Sequence, residues 1–258
     1  MIKRIDMVSI ITPAYNSENF ISDSINSVIN QTHKNWEMII VDDGSLDNTY
    51  NIIKEFAVKE NRIKLIKHNK NLGPGAARNT AIREAKGNFI AFLDADDLWE
   101  SHKLTTQLAF MKENNASVSF SSYELIDEQG SNLHKRIQAL SIIKYNKQLK
   151  CNYIGNLTGV YDVTALGKIY MPEIKKRQDW IMWLKAIEKA GEAKGIQESL
   201  AKYRIRKESL SSNKIDLLRH NYNVYRKALK FSTVKSVIYL LIFLYEYFFI
   251  KPKQIITF

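Results

Sequence analysis

Across its first 125 residues this chain alternates short apolar runs with amphipathic segments, a rhythm that predicts βαβ units around a mostly parallel sheet. Five runs predict strands, at 7–12, 36–41, 62–67, 89–93 and 117–123. Between them, 20–30 sets Ile21, Ile25, Val28 and Ile29 on one helical face, and 49–59 does likewise with Ile52, Ile53 and Phe56. Ser17 is the expected cap of the first helix and Ser45 or Asp47 that of the second, because each places a side-chain acceptor ahead of an apolar-periodic run. In open α/β sheets, ligands bind in the crevice outside the carboxyl ends of the strands, so the residues just past each run are the candidates for function.

The fourth run carries the most chemistry. Phe-Ile-Ala-Phe-Leu-Asp-Ala-Asp-Asp-Leu-Trp, at 89–99, ends an apolar strand with Asp94, Asp96 and Asp97. Asp-x-Asp there suits Mg²⁺ or Mn²⁺, which bind hard oxygens through one or two carboxylates and leave other positions for water and substrate phosphates. The competing reading is that Asp96 or Asp97 caps the next helix. Three more segments reach the same edge: Pro13-Ala14-Tyr15-Asn16, Asp42-Asp43-Gly44-Ser45, and the stretch 71–79 with Gly73, Gly75 and Arg78. A nucleotide needs an aromatic face for its base, a carboxylate for base or ribose, and a cation over its diphosphate. Tyr15 and Asp43 suit the first two roles. Arg78 either supplies charge near the phosphates or pairs with Asp94 to hold the rim.

The second half reads differently. Residues 1–130 carry 14 Lys and Arg against 18 Asp and Glu, whereas 131–258 carry 24 against 9, so the whole net charge of +11 comes from the later half. Such asymmetry predicts an anionic partner: a phosphorylated substrate, a membrane surface, or nucleic acid. Past Gly130 the pattern predicts a strand near 157–161 and helices at 179–190, with Gly191 as its stop, at 214–230 and at 234–250. The last contains 14 mostly apolar residues broken by Glu246, too short to span a bilayer but suited to lie in its interface, edged by Lys235, Lys251 and Lys253. Packing on the domain, or on a second copy in a homodimer, is the alternative. The single cysteine, Cys151, excludes an internal disulfide, and an N-terminus without an apolar leader predicts a cytoplasmic protein.

Taken in order, V-S-I-I-T-P-A-Y-N, I-I-V-D-D-G-S-x-D-x-T, N-x-G-P-G-A-A-R-N and F-L-D-A-D-D-x-W resemble the family 2 glycosyltransferases over about the first 110 residues. The resemblance implies a GT-A fold: a Rossmann-like, mostly parallel sheet flanked by helices, here with a helical C-terminal extension. It divides the chain into a nucleotide-sugar-binding half at 1–125, an acceptor-binding half of the same domain at 126–212, and the extension at 213–258. It also implies inverting transfer of a sugar from a nucleotide diphosphate sugar, commonly a UDP-sugar. Tyr15 and Asp43 would hold the base and Asp94 the ribose, with Pro13, Arg78 and Ala95 beside them on the nucleotide, and Asp96 would hold Mn²⁺ or Mg²⁺.

Inversion requires the base to approach from the face opposite the leaving group, hence from a later segment. Arg177-Gln178-Asp179-Trp180 resembles the family's base motif and makes Asp179 the candidate, with helix capping as its rival reading. Segment 203–212 resembles a later motif that closes over the diphosphate, with Arg206 near the place of a histidine in many members; Arg206 and Trp180 are the expected diphosphate or acceptor contacts. Trp99, Trp180 and Trp183 either line the acceptor sugar or pack the core. The resulting expectation is a metal-dependent transferase at the inner face of the plasma membrane, acting on a saccharide, lipid-linked acceptor in bacterial surface polysaccharide synthesis. A nucleotidyltransferase on a similar sheet and a basic nucleic-acid-binding module are the rivals.

Overall fold

The structure, a computed structural model, describes residues 6–206 and 214–258, with side chains in the second stretch described from Leu218 onward. Its first part is three βα units and a fourth strand: β1 (Val8–Ala14), α1 (Ile21–Ile29), β2 (Trp36–Asp42), α2 (Thr49–Lys59), β3 (Ile63–Lys67), α3 (Pro74–Glu84) and β4 (Phe89–Phe92). These strands pair in parallel in the order β3-β2-β1-β4. Both faces are covered, which is why β1, β2 and β4 read as near-continuous apolar runs. Ile21, Ile25, Val28 and Ile53 pack on one face with Val8, Ile10, Met38 and Ile40. Ala77, Ala81 and Ile82 of α3 pack on the other with Ile11, Ile39 and Val41.

Beyond β4 come β5 (Leu98–Trp99), α4 (Lys103–Glu113), β6 (Val118–Ile126), β7 (Asn132–Ile137), β8 (Ile142–Lys144), α5 (Tyr145–Lys150), β9 (Val160–Asp162) and α6 (Val163–Leu166). They are followed by α7 (Gln178–Ala190), β10 (Glu192–Arg204), α8 (Lys214–Asn223), α9 (Thr233–Tyr245) and β11 (Ile255–Thr257). Here the sheet becomes mixed. β9 is antiparallel to β4 and β6, whereas β10 runs parallel to β6 and antiparallel to β5 and β8.

Helix α7 keeps the predicted stripe of Ile181, Trp183, Leu184 and Ile187 and adds Trp180, Met182 and Ala186, all buried. It ends at Gly191, whose φ of +84° is the left-handed geometry that favours glycine.

One predicted cap changes and the other narrows to one residue. Ser17 donates its hydroxyl to the Tyr15 carbonyl and does not cap α1; its own carbonyl receives the Phe20 and Ile21 N–H groups. At α2, Asp47 accepts from the Thr49 N–H at 3.0 Å, while Ser45 accepts from the Asn16 N–H of the neighbouring loop.

The C-terminal helix is longer than its apolar run suggested. It continues through a π turn, Glu246–Ile250, and a 3₁₀ turn, Lys251–Gln254, giving 22 helical residues from Thr233 to Gln254, enough by length and composition to cross a bilayer. Yet it lies along the domain, with Phe243 5.6 Å from the Trp180 ring and Tyr239 5.5 Å from the Tyr225 ring. Glu246 is turned inward, where Lys147 reaches it at 2.8 Å and the Tyr153 hydroxyl donates to it.

Candidate active site

The loops after β1 and β2 are zipped together. Asn16, held at a φ of +46°, donates its N–H to Ser45 Oγ at 3.0 Å and accepts from the Leu46 N–H at 2.9 Å. Gly44 is required by its φ of +76° and by crowding, since a Cβ there would lie 2.9 Å from the Lys70 carbonyl carbon. This locks the rim and leaves Tyr15 43% exposed, its ring open to a flat ligand, above the half-buried Pro13.

Asp43 is 2% exposed and organises the next loop. Its Oδ2 accepts from the Gly73 N–H at 2.7 Å, and its Oδ1 accepts from the Leu72 N–H at 3.0 Å and lies 2.7 Å from His68 Nδ1. A carboxylate has about four acceptor positions, so one on Oδ2 stays open to a base N–H. His68, whose Nε2 lies 3.0 Å from Thr80 Oγ1, has no motif in the sequence to mark it. The detectable signal is register: β2 and β3 pair Asp42 with Lys67, which sets residue 68 beside residue 43. Asp42 is fully buried, and neither carboxylate oxygen has a hydrogen-bond partner among the described residues.

At the β4 tip the acids do not cap a helix. Asp97 accepts from the Arg204 N–H at 2.9 Å, tying the turn to the end of β10, and α4 begins only after His102. Arg204 completes the clamp, donating from Nε to the Asp96 carbonyl and from a guanidinium N–H to the Glu128 carbonyl, both at 2.8 Å. Burial and the neighbouring Asp96 and Asp94 push the Asp97 carboxyl well above the usual range. Burial and Asp94 likewise raise Asp96, opposed by Arg206, whose Nη1 is 3.2 Å from Asp96 Oδ2. Ala95 is 5% exposed between them.

Arg78 and Asp94 make the closest link, Nη2 to Oδ1 at 2.5 Å, with Arg78 8% exposed. Burial alone would lower the guanidinium pKa, but the charges of Asp94, Asp179 and Asp96 hold it above its ordinary value. The same cation therefore feels the β4 tip and the start of α7.

Helix α7 starts from Arg177 in left-handed geometry with no side-chain cap, and Asp179 does not cap it. Instead Asp179 Oδ2 accepts from Asn152 Nδ2 at 2.8 Å. Asn152 is held in turn by Gln148 Nε2, which donates to its side-chain oxygen at 2.8 Å, and by Lys251 Nζ, which donates to its carbonyl at 2.6 Å. A Cβ at Gly75 would lie 2.7 Å from Gln178 Nε2, so this glycine lets α3 and α7 meet end to end.

Trp180, expected against the acceptor, is fully buried; its Nε1 donates to the Gln148 carbonyl at 2.7 Å and its ring packs on Tyr225 and Phe243. It belongs to the core because the first turn of α7 has its apolar side against α5 and α9. Trp183 and Trp99 are core residues too, fully buried and 5% exposed. Of the 203–212 motif, 207–212 lie outside the described residues.

No three carboxylate, imidazole or thiol groups converge to cage a cation among the described residues. The donor set fits an ion that takes one or two carboxylates and completes its shell with water and phosphate, as Mg²⁺ does. Asp96, pushed up by burial and by Asp94, is the carboxylate that added positive charge would relieve.

A parallel sheet whose carboxyl edge gathers an open aromatic ring, acids at two strand tips and a further acid from a later helix is the plan of a nucleotide-sugar enzyme. The sequence model of glycosyl transferase family 2 matches residues 9–170, and the chain belongs to that family. Among its relatives, TuaG of Bacillus subtilis, named for teichuronic acid biosynthesis, is 40% identical over 89% of this chain and 91% of its own. WfgD of Escherichia coli, named a UDP-Glc:α-D-GlcNAc-diphosphoundecaprenol β-1,3-glucosyltransferase, is 41% identical over 84% of this chain and 85% of its own. In fold, the chain resembles S. aureus TarS crystallised with UDP-GlcNAc, at a TM-score of 0.73 and 24% identity over 93% of this chain and 73% of that one. It also resembles the Pyrobaculum calidifontis mannosyltransferase PcManGT, solved with GDP-Man and Mn²⁺, at a TM-score of 0.66 and 17% identity over 96% and 71%. The fold is GT-A, and membership of this family sets aside the nucleotidyltransferase and nucleic-acid readings.

Proposed function

We propose that the protein transfers a sugar, with inversion, from a UDP-sugar to the saccharide of a lipid-linked acceptor in bacterial surface polysaccharide synthesis. One observation carries this reading: at the β4 tip, on the carboxyl edge of the sheet, Asp94 is held by buried Arg78 and Asp96 by Arg206, and the charge of Asp179 at the start of α7 also reaches Arg78. The names of WfgD and TuaG support the acceptor and the pathway.

On this reading 1–125 is the donor half, 126–212 the acceptor half and 213–258 the extension. Tyr15 stacks on the base, Asp43 accepts from it through the open Oδ2 position, and Asp94 meets the ribose, with Pro13 and Ala95 lining the nucleotide. Arg78 holds Asp94, and Arg206 lies beside Asp96 to contact the diphosphate. Asp96, with Asp94 next to it, would hold Mn²⁺ or Mg²⁺, which supplies positive charge where the leaving diphosphate gains negative charge. Asp179, oriented by Asn152, takes the proton of the acceptor hydroxyl as that oxygen bonds to the anomeric carbon. The bond from that carbon to the diphosphate oxygen breaks on the opposite face, and its electron pair leaves with UDP.

The C-terminal helix supports contact with the inner face of the plasma membrane. Val234, Val237, Ile238, Leu241, Tyr245, Phe248 and Phe249 form one exposed apolar stripe. From Leu218 to the C-terminus there are seven Lys and Arg and one acid, Glu246, which faces inward, so the exposed side offers anionic lipid no repulsion. Incubation with Mn²⁺ and a panel of nucleotide sugars, followed by detection of free UDP and analysis of the anomeric product, tests the transfer. UDP release that depends on an added saccharide acceptor, with an inverted product, is the expected result.

A further inference from the structure

A cavity of about 1150 Å³ opens beside the candidate active site, between α3, the 172–178 loop and the α8 region. Among the described residues its lining is strongly basic: Arg83, Lys175, Lys176, Arg219 and Lys227, with Glu173 as the one acid. Saccharide hydroxyls are neutral and are usually met by neutral or acidic hydrogen-bonding groups and aromatic faces. Five cations around one space answer an anion of more than one charge, and arginine with lysine is the pairing that suits phosphate oxygens.

This space is distinct from the expected seat of the donor diphosphate. Arg78 leaves α3 toward Asp94, whereas Asn79, Thr80 and Arg83 leave it toward the cavity. The two spaces adjoin at the 71–76 loop, which lines the cavity and holds Asp43 through its Leu72 and Gly73 amides, but the cations line the side of α3 turned from Asp94. One end of the cavity reaches Gln178, the residue before Asp179. The other reaches Arg219 on α8 and Lys227 in the π turn Val224–Ala228, whose Tyr225 packs on Tyr239 of α9. The basic wall therefore lies between the candidate base and the helix that carries the exposed apolar stripe.

We propose that this cavity binds the diphosphate through which the acceptor saccharide is joined to its lipid. The inference rests on the lipid-linked acceptor proposed above and adds the site that recognises its charged link. The terminal sugar extends past Gln178 to Asp179, the diphosphate lies among the cations, and the lipid leaves toward α9. The cavity exceeds the usual 300–1,000 Å³ of ligand pockets, in keeping with a diphosphate and a sugar bound together.

The test is the double variant Arg219→Glu/Lys227→Glu, which alters two exposed side chains and should leave the fold intact. Titration calorimetry of full-length protein saturated with UDP, using a short-chain prenyl diphosphate as probe, is expected to show affinity at least roughly tenfold weaker in the variant. In turnover, KM for a prenyl-diphosphate-linked saccharide should rise by a similar factor, while KM for the same saccharide on a neutral alkyl glycoside and KM for the nucleotide sugar stay unchanged. Equal prenyl diphosphate affinity in variant and wild type, or an equal rise in KM for the neutral acceptor, would overturn the proposal. Asp179→Asn separates the two readings: it should bind the probe like wild type while losing transfer, so retained transfer removes the base assignment and leaves the titration to decide the cavity.

Discussion

Asn152 donates from Nδ2 to Oδ2 of Asp179 at 2.8 Å, while Lys251 from the C-terminal extension donates to the Asn152 carbonyl at 2.6 Å. A side chain more than 25 positions upstream and another more than 70 downstream thus set the aim of one carboxylate. Asn152→Ala is expected to lower kcat roughly 10–100-fold with little change in KM for the nucleotide sugar, as befits a residue that orients a base and binds no donor. Lys251→Met should lower kcat less, and Lys251→Arg should restore it. Steady-state kinetics with both substrates varied checks this, and a rise in donor KM equal to the fall in kcat would count against a positioning role.

Asp179→Asn and Asp96→Asn should both abolish transfer, with losses of at least the 10²–10⁴-fold that general-base catalysis commonly contributes. Only Asp96→Asn should weaken UDP binding in Mn²⁺. Exhaustive chelation should stop turnover and be reversed by added Mn²⁺, which calorimetry and activity assays on the same preparations can follow.

Arg78→Met should destabilise the protein by roughly 1–3 kcal/mol, because it removes the charged hydrogen bond to Asp94, a carboxylate that stays partly open to water. Arg78→Lys keeps the charge but not the fork, and should recover part of that stability. Denaturant melts of both variants, read against UDP affinity, measure the effect.

Lys103 is fully buried, with Nζ donating to Gln107 Oε1 at 2.6 Å and 4.3 Å from the Trp99 ring centroid; burial lowers its pKa from 10.5 to about 7. Between about pH 7 and 10.5 the unfolded chain holds a proton that the folded chain has released, so this group makes stability rise with pH across that window. Below pH 7 both states are protonated and its contribution is flat. Lys103→Met should remove the slope, a difference of a few kcal/mol between the ends of the window, visible in melts taken at several pH values.

Leu241→Glu/Phe248→Glu should cut co-sedimentation with phosphatidylglycerol-containing vesicles by about tenfold or more, and leave the affinity for UDP unaltered. Binding of the wild type should fall with salt and be weak on purely zwitterionic vesicles. A concentration-dependent dimer lost in this variant, with vesicle binding unchanged, would assign the stripe to a second copy instead.

The half of the molecule built from local pattern is legible in the residues themselves. Runs such as 36–41 and 89–93 are buried on both faces and carry their signal in apolar residues broken only by Glu37, so the strands found there agree to within a residue or two. Helices at 49–59 and 178–190 show one clear stripe and clear ends. By contrast, β10 mixes Lys194, Gln197, Glu198 and Lys202 into a 13-residue strand, and its register shifts against β6 on both sides of Ser199, which erases any period of two. β7 is mostly exposed and polar, so only its pairing with β6 and β11 makes it a strand.

By itself, then, the order of residues determined which strand tips bear acids and an aromatic ring, because in a parallel sheet every strand ends on the same edge. Tertiary structure alone decided who holds whom. That His68 and the Leu72 and Gly73 amides fill three acceptor positions of Asp43, that Arg78 holds Asp94, that Trp180 is core, and that Glu246 turns inward all depend on side chains meeting across long loops. Such meetings have no period along the chain, since their geometry is set by how covered sheets and helices pack and not by neighbours in sequence.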